Sequence, residues 1–116
     1  MSDDLQIKKD LIAELTKAME EAAVMSILLE NNDNNIDAQN FWKKKVKIKK
    51  KIDELVDELF DDWAVDTIAV VSDLKAANNE LEEEVKRAKN DYNNLQAIAN
   101  GLKVLDKIIN FSTKFI

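Results

Sequence analysis

The run NNDNNID, residues 31 to 37, holds four asparagines and two aspartates in seven positions. Asn and Asp side chains bond to nearby backbone and favour turns, so the run predicts a break at which two helices fold back on each other. Asp37 reads as the N-cap of the second helix. Ile36 and Phe41 stand at the two positions of a hydrophobic staple around that cap.

Upstream, Asp3 to Glu30 reads as one helix, with Asp3 and Gln6 in capping-box positions. Leu11, Leu15, Ala18, Ala22, Met25 and Leu29 alternate four and three residues apart, a single apolar stripe at the coiled-coil period. Ala18 and Ala22 are small and allow a neighbouring helix to approach closely.

Downstream, the predicted second helix runs from 37 to about 64. Phe41, Ile48, Ile52, Leu55, Val56, Leu59, Phe60 and Trp63 share one arc of its wheel. Trp42 adjoins them and is expected in the core. Lys45 and Lys49 fall inside the apolar arc and must reach water or a carboxylate. A turn is expected near residue 65, followed by a third helix over 66–100. Its stripe runs through Leu74, Asn78, Leu81, Val85, Ala88, Tyr92, Leu95, Ala99 and Leu102. Asn78 on such a seam fixes register at some cost in stability. Without the turn, the second helix continues past residue 100, about 90 Å long or more, and buries its stripe only by self-association. Near Gly101 a shorter amphipathic C-terminal helix is expected, over 102–115.

The fold class is therefore all-α: one domain, residues 1–116, forming an elongated antiparallel bundle of three long helices and a shorter fourth with coiled-coil-like packing. Composition agrees: 46% hydrophobic, 34% charged, one glycine and no proline leave few turn residues for a sheet. The expected core is Leu11, Leu15, Met25, Leu29, Ile52, Leu55, Leu59, Trp63, Leu74, Leu81, Leu95 and Leu102.

The absence of cysteine and histidine narrows the chemistry. Disulfides, thiolate nucleophiles, imidazole bases and the Glu-x-x-His di-metal site of helical bundles are excluded. Serines and threonines lie in no nucleophile motif, and one glycine makes no phosphate-binding loop. No catalytic residue, metal ligand or cofactor is expected, and the chain reads as a non-enzyme. The acidic start MSDDLQ shows no signal segment, and no apolar run approaches the ~20 residues of a spanning helix, so a cytoplasmic protein is expected.

Two features carry the functional expectations. The first is the C-terminal segment. Leu102, Leu105, Ile108, Ile109, Phe111, Phe115 and Ile116 form its apolar arc, with Lys103, Lys107 and Lys114 opposite. That helix is a candidate to cap the bundle, to dock on a protein partner or second copy, or to lie on a membrane. The second is the run from Lys43 to Lys51, seven lysines in nine positions, followed by six carboxylates from Asp53 to Asp62. Antiparallel hairpins would set these lysines opposite Glu20 and Glu21, and opposite Glu80 to Glu84. The preferred reading is thus an internal charge match that selects register, each exposed pair contributing ~0–1 kcal/mol. The competing reading is an anionic surface bound by Lys43, Lys44, Lys47, Lys50 and Lys51. Nucleic acid is disfavoured because the net charge is −6 and the run lacks interleaved aromatics. Together these features suggest a non-catalytic protein–protein interaction module acting by helix packing. The alternative is a membrane-active protein, a small toxin or a peripheral binder, that uses its C-terminal helix.

Overall fold

A computed structural model describes residues 2–57 and 67–112 of the chain. Four helices follow in order: α1 (Ser2–Asn31), α2 (Asn35–Asp57), α3 (Thr67–Asn90) and α4 (Leu95–Ser112). They make an all-α bundle 48 Å long and about 20 Å across. The predicted turn near residue 65, and the core positions Leu59 and Trp63, lie outside the described residues.

The Asn/Asp run does reverse the chain, but with a different cap. Asp33 adopts a left-handed backbone, φ 65°, which Asp tolerates better than most residues. The Asn34 amide then donates to the Leu29 carbonyl at 2.9 Å and closes α1. Asn34, not Asp37, is the N-cap. Its carbonyl accepts from the Ala38 amide and its side-chain oxygen from the Asp37 amide. Asp37 sits in the first turn, where its carboxylate accepts from the Asn34 side chain at 2.9 Å and suits the positive end of the helix. The expected staple does not form: Ile36 is 78% exposed while Phe41 is fully buried.

The second hairpin corrects the expected boundary. The break falls at residues 91–94, not near Gly101, and α4 begins seven residues earlier than the predicted 102. Asn94 caps α4 as Asn34 caps α2, its side-chain oxygen accepting from the Ala97 amide at 3.0 Å. Asp91 accepts from the Asn93 amide and shapes the turn. The regular spacing through Tyr92, Leu95 and Ala99 was coincidental, since all three are exposed, Leu95 at 73%. Leu95 is thus removed from the core, and Leu102 is only half-buried.

Each hairpin is antiparallel. Ser26 Oγ donates to the Ala38 carbonyl at 2.8 Å near the turn joining α1 and α2. The two hairpins then pack side by side in the same direction. Asn78 of α3 donates to the Glu14 carbonyl of α1 at 2.8 Å, and Lys17 pairs with Glu82 at 3.8 Å, so α1 and α3 run parallel. Phe41 meets Gly101, and Lys44 meets Asp106, so α2 and α4 also run parallel. Around the bundle the order is α1, α2, α4, α3, which leaves α2 and α3 at opposite corners.

The α1 stripe is entirely buried, as its spacing predicted. From α3, Leu74, Asn78, Leu81, Val85 and Ala88 join it. In the register set by Asn78 and Lys17, Ala18 and Ala22 come about level with Leu81 and Val85, so small residues on one helix admit larger ones on the other. Asn78 is 1% exposed and its side-chain oxygen has no partner, the expected cost of a register-setting polar group.

Gly101 has a packing role rather than a terminating one. It lies inside α4, and a Cβ built there would stand 3.2 and 3.3 Å from two ring carbons of Phe41. The missing side chain lets the Phe41 ring occupy the space between α2 and α4.

Candidate functional site

The C-terminal candidates are absorbed into the bundle as far as they are described. Leu105 and Ile108 are fully buried, while Leu102, Ile109 and Phe111 pack against the core from its edge. Lys107 lies 4.0 Å from Glu80 of α3, and Lys103 is exposed. Lys114, Phe115 and Ile116 lie outside the described residues. The apolar arc of α4 is therefore occupied by the other helices.

The lysine run does not meet the acids of α3. α3 does not pack on α2, so Glu80 to Glu84 lie far from it. Those acids find other partners: Glu80 with Lys107, Glu82 with Lys17, Glu83 with Lys86 and Glu84 with Arg87. Glu20 and Glu21 lie on α1, which packs on α2, but form no ion pair with the run among the described residues. Among the described residues, the ion pairs of the run are Lys44 with Asp106 and Lys51 with Glu54. Lys43, Lys47, Lys49 and Lys50 are exposed and make no ion pair with any described carboxylate. Glu58, Asp61 and Asp62, the last of the six carboxylates that follow the run, lie outside the described residues.

Among the described residues, α2 accordingly presents four exposed lysines without ion-pair partners, and its surface has two flanks. Towards α1 stand Trp42 and Val46, four residues apart and both half-exposed, with Lys45 and Lys49 beside them. The Lys45 ammonium sits 3.8 Å from the centre of the Trp42 ring, a cation–π contact that answers how this lysine is accommodated within the apolar arc. A groove of about 530 Å³ adjoins this flank near the turn, lined by Ser26, Glu30, Asn35, Ala38, Gln39, Trp42 and Lys43. Towards α4, a second groove of about 290 Å³ is lined by Asn40, Lys43, Lys44, Lys47, Leu102 and Asp106.

Trp42 is a correction: it was expected in the core and is 46% exposed. The signal was present in the sequence. Adjacent helical residues point about 100° apart, so Phe41 and Trp42 cannot both face the bundle axis. The groove between α3 and α4 differs in kind, because within it Glu84 pairs with Arg87 and Glu80 with Lys107. Among the described residues, no cluster of Asp and Glu is placed to hold a metal ion, and no helix is long and apolar enough to cross a membrane. No protein-family model, no curated protein and no solved structure matches the chain.

Proposed function

We propose that this protein is a non-catalytic interaction module that docks on a protein partner through the flank of α2 that adjoins α1. The observation that carries the reading is Trp42, half-exposed beside Val46 on a helix where Lys43, Lys47, Lys49 and Lys50 make no ion pair with a described carboxylate. An exposed Trp next to a groove supplies a large apolar anchor at low side-chain entropy cost. Lys45 already stacks on its ring and helps hold it in place. The surrounding lysines favour an acidic surface on the partner, speeding encounter and rejecting basic surfaces. Binding through Leu105 and Ile108 would instead require α4 to leave the core, at about 1.5–3 kcal/mol for each side chain exposed.

A photo-reactive residue placed at Val46 should give a discrete cross-linked adduct in cells. The same residue at exposed Ala76 of α3 should give none. Adding Trp42→Ala should remove the Val46 adduct while the thermal melt stays near that of the parent. Indistinguishable cross-linking from both positions would reject the α1-side flank of α2 as the docking surface.

A further inference from the structure

We infer that the groove between α2 and α4 is a binding site for a phosphate group, carried by a soluble oligophosphate or phosphate ester or by a lipid headgroup. Asn40, Lys43, Lys44 and Lys47 supply it from α2, and Leu102 and Asp106 from α4. This is the opposite flank of α2 from Trp42 and Val46, so the inference stands apart from the protein-docking proposal.

Three ammonium groups within five residues repel one another, and like charges four apart on a helix are destabilising. One carboxylate, Asp106, opposes them, so the groove keeps a formal charge of about +2. Lys44 is not a free surface lysine. Its side chain is 18% exposed and held against Asp106 across the two helices. Lys43 and Lys47 flank it without ion-pair partners among the described residues. Asn40 adds a side-chain amide to the same wall. Lysine binds phosphate as a point charge, and several around one recess suit a compact, multiply charged anion. The recess is too small for a duplex but ample for one or two phosphate groups. The tertiary fold creates it: Phe41 against Gly101 pins α2 to α4, which sets Lys44 against Asp106 and leaves the exposed Lys43 and Lys47 at the rim of the groove.

In this arrangement Asp106 competes with the ligand for Lys44. Removing its charge should therefore tighten binding, which a merely structural salt bridge would not do.

The test is titration of the full chain with inorganic tripolyphosphate at physiological ionic strength, followed by calorimetry and amide chemical shifts. Expected are one saturable site, shifts centred on Asn40 to Lys47 and Leu102 to Asp106, and weakening of roughly tenfold in Lys47→Gln. Asp106→Asn should tighten binding several-fold, and Asp53→Asn, an equal charge change on the exposed part of α2, should not. Lys49→Gln, on the Trp42 flank, should leave affinity nearly unchanged. Flotation with phosphatidylcholine vesicles, with and without phosphatidic acid, separates the sources. Vesicle binding that follows the same variants assigns a lipid headgroup, and tripolyphosphate binding without flotation assigns a soluble ligand. Absence of both, or equal weakening by Lys47→Gln and Lys49→Gln, overturns the site.

Discussion

Gly101 and Phe41 show how one pair of residues joins two hairpins. A glycine inside a helix ordinarily costs about 1 kcal/mol relative to alanine. Here it admits an aromatic ring that is fully buried between α2 and α4. Gly101→Ala gains helix propensity but sets a methyl group 3.2 Å from the ring, closer than packing allows without movement. We expect a net loss of ~1 kcal/mol in urea unfolding. In a Phe41→Leu background the ring is absent, and the same Gly101→Ala change should become stabilising. A change of equal sign and size in both backgrounds would mean that the ring does not set the residue at 101. Trp42 makes the complementary point: one step along the helix from Phe41, it faces outward, half-exposed, with the Lys45 ammonium over its ring.

Among the elements, the two hairpin turns do the same work with the same residue type. Asn34 and Asn94 each accept an amide hydrogen bond three residues on. Replacing either by alanine should cost ~1 kcal/mol. Asp37→Ala should cost less, because Asp37 supports the Asn34 side chain rather than capping the helix itself. Leu95→Ser and Ile36→Ser, both at strongly exposed positions, should stay within ~0.5 kcal/mol of the parent. Equilibrium urea unfolding of the five variants checks the ranking, and a cost at Asp37 above that at Asn34 would restore the cap read from the sequence.

For the whole molecule, the decisive fact is that α4 belongs to the core. Ending the chain at Asn100 removes Val104, Leu105 and Ile108, all buried. At about 1.5–3 kcal/mol each, their loss is comparable to the ~5–15 kcal/mol that holds a domain of this size together. We expect the shortened chain to lose its cooperative thermal transition and much of its helical circular dichroism. Retention of both would show that α1, α2 and α3 suffice. The diagonal placement of α2 and α3 also separates charge across the bundle. The lysines of α2 and the acids of α3 stand on diagonally opposite corners.

Local pattern alone determined the helical class, the first hairpin and the α1 stripe, in which Leu11, Leu15, Ala18, Ala22, Met25 and Leu29 are all buried. It also exposed the register role of Asn78 and the density of lysine on α2. These are properties of one helix, or of one turn with its neighbours, and periodicity reports them directly. The tertiary structure decided which helices are neighbours, and that removed Glu80 to Glu84 as partners of the lysine run, because the mirror argument assumed that α3 packs on α2. It decided that Tyr92 and Leu95 belong to a turn and a helix start, since a 4-3 spacing can continue across a break it does not describe. It also placed Lys43, Lys44 and Lys47 in a groove with Leu102 and Asp106, some sixty residues away. That juxtaposition depends on two parallel hairpins and on a glycine that lets them close, and no local period encodes contacts of such range.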